Sequence, residues 1–220
     1  MEEHYNKGVH FNIPIVGQSE EFTSAGACGL MLLAYRERKY LKQDESKLKS
    51  LEYSIWQDAM KGSVIHGSRY GLAYALAKRG FNVKIITNIR NEGYERAIAV
   101  NNGINLLTLE AAFKEIKELA LKSNIEEKIV KNITAETIKN IMREKMIPIV
   151  LVDLSKLHED LEGMDPTPHW VIVKEFFEND FVINDPYLYN SLTLSKSMLN
   201  SILGINNDKA VIAVKDIKSR

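Results

Sequence analysis

A single cysteine, no surplus of either charge and no long apolar run set the first limits on this chain. With one thiol in 220 residues, Cys28, no internal disulfide can form, and a cytoplasmic location is expected. Lys and Arg number 29, as do Asp and Glu, so the formal net charge is zero. That balance offers no basic surface for nucleic acid or for an anionic membrane, and neither is expected as a partner. The longest apolar runs, 30–34 and 147–152, fall far short of the ~20 residues needed to span a bilayer. Met1-Glu2-Glu3-His4 lacks the basic-then-apolar order of a signal peptide. His4, His10 and His158 stand apart, and no Cys/His cluster with metal-ligand spacing exists. No metal or organic cofactor is implied. Repeats, low-complexity tracts and Pro/Gly-rich linkers are missing too, and nothing marks an oligomeric state.

What the chain does hold is 45% hydrophobic residues, enough for a sizeable core, read as one domain over 1–220. The pattern predicts a short strand at 13–16, a polar loop at 17–23 and a helix over 24–38 with Ser24 near its start. A second helix is expected over 43–60, a Gly/Ser loop at 62–68, and a helix over 70–78 closed by Gly80. A strand follows at 82–87. Segment 88–146 is helical in pattern, with periodic stretches near 109–122 and 135–145, and is read as a helical insertion or cap. Then come a strand at 147–153, a polar loop at 155–167 whose acidic run His158-Glu159-Asp160-Leu161-Glu162 reads as solvated, a hairpin, a helix near 195–203 and a strand at 209–214. Helices first and an antiparallel sheet afterwards is an α+β order.

The hairpin carries the chemistry. His169 precedes the apolar run Trp170-Val171-Ile172-Val173, the turn Glu178-Asn179-Asp180 follows, and Phe181-Val182-Ile183-Asn184 leads to Asp185-Pro186. Antiparallel pairing brings a His at the start of one strand and an Asp at the end of the next to one end of the sheet. That places a carboxylate where it can orient an imidazole acting as general base. Asn184 is the competing orienter, but strand alternation would then turn Asp185 away. Trp170 is expected to pack beside the His and shield the pair from water.

A base with its orienter implies a nucleophile. Cys28 is the only thiol, and a thiol is the stronger nucleophile at neutral pH. Ser24 lies four residues earlier at the predicted helix start, where the dipole and free N–H groups favour a thiolate and an oxyanion. Cys28, one turn deeper on a face shared with Leu32, reads as a core thiol. Gln18, six residues before Ser24, supplies a side-chain amide for the oxyanion if its loop turns back. His66 reads equally as a cleft residue and as part of a structural loop.

Gln18, then Glu21-Phe22-Thr23-Ser24-Ala25-Gly26-Ala27-Cys28, then His169-Trp170 and Asn184-Asp185-Pro186 resemble the motifs of papain-like cysteine peptidases. The nearest type is the double-glycine-leader (bacteriocin-processing) peptidases and their free-standing relatives. Ile13-Pro14, the Trp56 helix and His66-Gly67-Ser68 before Tyr70-Gly71-Leu72 resemble one branch of that type, sometimes fused to acetyltransferase domains. The resemblance covers nearly the whole chain, least distinctively 88–146. It implies a papain-like fold, with the nucleophile helix packed on a C-terminal antiparallel sheet carrying His and Asp, and a peptide or protein substrate. It also implies roles: nucleophile position Ser24, base His169, orienter Asp185, oxyanion donor Gln18. Cys28 falls on the family's second, structural Cys. The departure is Ser24, where the family has Cys. A hydroxyl is far less acidic than a thiol, so the chain as it stands is expected to be inactive or impaired. An inactive Cys-to-Ser variant, a peptide-binding pseudoenzyme, and acyl transfer or deamidation on the same triad are the readings left open.

Overall fold

The computed structural model describes residues 8–61, 64–91, 93–101 and 103–215. The Met1-Glu2-Glu3-His4 segment and the first two residues of the Gly/Ser loop, Gly62 and Ser63, lie outside the described residues. In chain order the elements are β1 (Val9–His10), α1 (Ser24–Arg36), α2 (Glu45–Ala59), α3 (Arg69–Lys78), β2 (Val83–Thr87), α4 (Tyr94–Asn101), α5 (Leu106–Lys122) and β3 (Glu126–Ile129). They continue with α6 (Ala135–Arg143), β4 (Met146–Asp153), α7 (Leu154–Leu157), β5 (Pro168–Phe177), β6 (Asp180–Asp185), β7 (Asn190–Ser195), α8 (Lys196–Ile202) and β8 (Ala210–Lys215). The strands form one eight-stranded sheet in the order β3-β2-β8-β4-β5-β6-β7, with β1 paired to β5.

Local signals account for most boundaries. Asp44 caps α2 by accepting from Lys47 N–H, and Ser68 caps α3 by accepting from Gly71 N–H at 2.9 Å. Gly80 takes φ +81° just past α3, the left-handed conformation expected of a helix-ending glycine. β4 and β5 are buried almost throughout because both faces of the central sheet are covered. Every residue of α1 from Ser24 to Tyr35 is buried. That helix runs through the core between α2 and β5, and each large apolar side chain it buries stabilises the fold by ~1.5–3 kcal/mol.

Several expectations need correction. Residues 13–16 are not a strand: the carbonyls of Ile13 and Pro14 accept from the Asn184 amide at 3.2 and 3.3 Å, so a side chain replaces a ladder there, and Pro14 has no N–H to offer. Segment 88–146 is not wholly helical. It contributes β3, which pairs parallel with β2 in the register Lys84↔Glu126 to Thr87↔Ile129. β3 is a short, charged edge strand with no apolar alternation, which is why periodicity hid it. The sheet is therefore mixed and drawn from the whole chain, not antiparallel and C-terminal. The edge strand β7 was not expected either, although Leu192 and Leu194 alternate with polar residues along it. The 155–167 loop includes α7 and a 3₁₀ turn at Glu159–Leu161.

A buried ionic cluster fixes α3 to the sheet. Arg69, fully buried, donates to Glu95, Asp208 and Thr87, and Asp208 also accepts from Tyr94 N–H at 2.9 Å. These bonds join α3, the end of β2, the start of α4 and the turn before β8. The adjoining Gly67 carbonyl accepts from Tyr94 Oη at 2.7 Å and from Trp170 Nε1 at 3.3 Å.

Candidate active site

Pairing of β5 with β6 sets the first geometry. Asn184 lies opposite Ile172, so Asp185 falls on the same face as His169, diagonally across the pair. His169 Nε2 is 2.7 Å from Asp185 Oδ1. Asn184 faces the other way: its amide binds Ile13, Pro14 and Met31 Sδ, and it accepts from Ser191 Oγ at 2.8 Å. Asp185, not Asn184, thus contacts His169, while Asn184 binds the 13–14 segment.

Ser24 opens α1, and the Trp170 backbone N–H, next to His169, donates to its Oγ at 3.2 Å. Thr23 provides no side-chain cap, so the first-turn N–H groups keep their donor capacity. Cys28 is fully buried, its Sγ donating to the Trp170 carbonyl at 3.3 Å. Burial, helped by the Asp185 charge, pushes its thiol well above the usual range, so it rests as a core thiol.

The Gln18 loop is held against the same end of the sheet. Gln18 N–H donates to the Pro186 carbonyl at 3.0 Å, and its side-chain Nε2 donates to the Glu21 carbonyl at 3.0 Å. α2 fixes the loop from behind: buried Glu52 accepts from Ser19 N–H at 2.8 Å and from Ser19 Oγ, and Tyr53 donates to Glu20 at 2.9 Å. Sequence reading offered no signal for Glu52, because its partner lies 33 residues away.

Asp185 accepts more than one imidazole. His158 Nε2 lies 2.7 Å from Oδ2, and Tyr187 N–H donates to Oδ1 at 2.9 Å. The Tyr187 contact is the Asx turn that Asp-Pro favours; the His158 contact had no sequence signal and corrects the reading of His158 as part of a solvated run. Its side chain is 7% exposed. Burial would raise the Asp185 carboxyl, but the bonds from His158 and His169, the His169 charge and the Tyr187 N–H outweigh it and hold the group well below the usual carboxylate range. The Tyr187 ring lies 5.4 Å from the His158 ring and 6.4 Å, edge-on, from that of His169.

A cavity of about 240 Å³ adjoins these groups, lined by Glu21, His66, Leu154, Ser155, Leu161, Met164, Thr167 and Tyr187. His66 therefore faces the cleft. Its Nδ1 has no protein partner, and burial, followed by the neighbouring His169 charge, pulls its imidazole down to about 4, leaving it neutral at pH 7. Ser24 and His169 are each 1% exposed. Among the described residues no group of His, Cys, Asp and Glu is arranged to hold a metal ion, and no helix is long and apolar enough to cross a membrane.

Compared with known proteins, residues 13–209 match the model of a family described as "Peptidase_C39 like family". No curated protein matches the chain.

Proposed function

The chain belongs to the Peptidase_C39 like family, and from that premise we propose that it is built as a cysteine-type peptide hydrolase with Ser at the nucleophile position. The observation that carries this reading is the pair of contacts at one sheet end: His169 Nε2 to Asp185 Oδ1 at 2.7 Å, and Trp170 N–H to Ser24 Oγ at 3.2 Å. With Nε2 committed to the carboxylate, His169 Nδ1 is the ring nitrogen left to exchange a proton with residue 24.

With Cys at position 24, the thiolate attacks the scissile carbonyl while His169 holds the proton. The backbone N–H of residue 24 and the second Gln18 amide hydrogen stabilise the oxyanion. His169 then protonates the leaving amine, Asp185 stabilising the imidazolium, and water releases the acyl group by the reverse proton path. With Ser at 24 the same constellation binds peptide but lacks a group acidic enough to ionise, so turnover is lost or heavily reduced. No metal or organic cofactor enters this scheme.

The test is alkylation of the Ser24→Cys protein with iodoacetamide, mapped by mass spectrometry, beside the chain as it stands. Fast labelling at position 24 that disappears in Ser24→Cys/His169→Ala supports the triad, and hydrolysis of a peptide library by Ser24→Cys supports the activity. Labelling confined to Cys28 in both proteins would remove Ser24 from the site. Tight peptide binding without cleavage by Ser24→Cys would favour a binding module.

A further inference from the structure

Asp185 holds two imidazoles, and the proposed reaction uses only one. A carboxylate is acceptor-only when ionised, so the 2.7 Å contacts at Oδ1 and Oδ2 require both His169 and His158 to carry their proton on Nε2. Asp χ2 is a broad torsion with no strong staggered preference. Held at Oδ1 alone, by His169 and the Tyr187 N–H, the carboxylate can rock about its Cβ–Cγ bond. His158 grips the opposite oxygen and fixes the plane.

His158 is itself held. Its N–H donates to the Leu154 carbonyl at 3.3 Å, and its carbonyl accepts from Leu161 N–H at 3.1 Å. The Tyr187 ring packs at 5.4 Å. The ring enters from the segment after β4, whereas His169 and Asp185 come from β5 and β6.

We propose that His158 is a positioning residue: it locks the Asp185 carboxylate so that Oδ1 keeps His169 in the Nε2–H tautomer, with Nδ1 open toward residue 24. Its effect on turnover rests on the peptidase reading above; its effect on the His169 ring does not. A histidine that merely satisfied a buried carboxylate oxygen would affect stability and leave the His169 tautomer and its exchange unchanged.

The ring N–H protons separate these roles in the protein as it stands. Proton–nitrogen NMR of the imidazoles, assigned by single substitutions, should give a slowly exchanging downfield Nε2–H for His169. In His158→Leu, checked as folded by near-UV circular dichroism, that proton should exchange about tenfold faster or broaden away. His158→Gln restores an amide donor at similar reach and should recover the signal. His158→Asn, too short to reach Oδ2, should behave as Leu does and replaces it if Leu does not fold. In the Ser24→Cys background, His158→Leu should lower kcat by roughly ten- to a hundredfold with little change in KM, and Gln should recover most of it. An unaltered His169 resonance and exchange rate in folded His158→Leu or His158→Asn would overturn the proposal, as would a folded Gln variant no better than Leu. A Ser24→Cys protein with no hydrolytic activity would count against the peptidase reading and leave the NMR comparison to decide the role of His158.

Discussion

Gly26→Ala tests the link between helix packing and the site. Gly26 sits two residues after Ser24 on the face of α1 that meets α2. A Cβ there would lie 2.6 Å from the Glu52 carbonyl oxygen and 3.1 Å from both Glu52 Cγ and Trp56 Cβ. Normal carbon contacts lie near 3.5–4.0 Å, so α2 must retreat by roughly 0.5–1 Å. One obstacle is backbone, which cannot rotate away, so the cost falls in the upper part of the range for overpacking, ~2–3 kcal/mol. Ala gains back ~1 kcal/mol of helix propensity over Gly. The net is a destabilisation of ~1–2 kcal/mol, a melting point lower by about 2–8 °C for a domain of this size. Gly29→Ala is the comparison: its Cβ would meet buried Ile55 of α2, Cγ2 at 2.7 Å and Cδ1 at 3.4 Å, a β-branched side chain locked at χ1 in its helix, but it lies one turn farther from Glu52. Because Glu52 also holds Ser19, a displaced α2 loosens the Gln18 loop, and alkylation of Ser24→Cys should slow in Gly26→Ala more than in Gly29→Ala. Calorimetric melting of the two variants decides the matter. A Gly26→Ala protein as stable as its parent would refute the claim that the bare Cα sets the α1–α2 spacing.

In the Ser24→Cys background, Asp185→Asn should lower kcat by about 10³–10⁴-fold, since one amide cannot accept from both imidazoles and one ring must change tautomer; a peptidase assay reads it. His66→Ala should raise KM roughly three- to tenfold with kcat nearly unchanged, because a neutral imidazole lines the cavity; steady-state kinetics check it. Asp208 is pushed up to about 6, chiefly by burial, with Arg69 opposing and Glu95 adding, and its Oδ1 has no partner. Between pH ~4 and ~6 the folded state then binds a proton that the unfolded chain does not, so this group's contribution to stability falls as pH rises through that window. His66, lowered to about 4, acts with the opposite sign, so the readout is the difference between proteins. Relative to its parent, Asp208→Asn should fare better at pH 7.5 than at pH 5 in urea unfolding, and parallel curves would contradict this.

The hairpin was legible because its information is local. Two apolar runs, a turn and a His and Asp at matching ends mark the hairpin, but the bulge between Val173 and Glu175 decides the facing: an unbroken register would set Asp185 opposite Ile172, whereas the shift sets Asn184 there and leaves Asp185 on the His169 face. The start of α1 at Ser24 and the left-handed Gly80 were legible for the same reason: each is decided within one turn of chain. Tertiary structure decided the rest. β3 exists because β2 offers an unpaired edge, not because Glu126–Ile129 resembles a strand. Ile13 and Pro14 stay irregular because Asn184 takes their carbonyls from across the fold. Glu52 and His158, a helix residue and part of an acidic run in sequence, acquire their meaning only when α2 meets Ser19 and the post-β4 turn meets Asp185. A buried carboxylate must be satisfied by whatever donor packing brings to it, and no periodicity in a chain specifies which distant residue that will be.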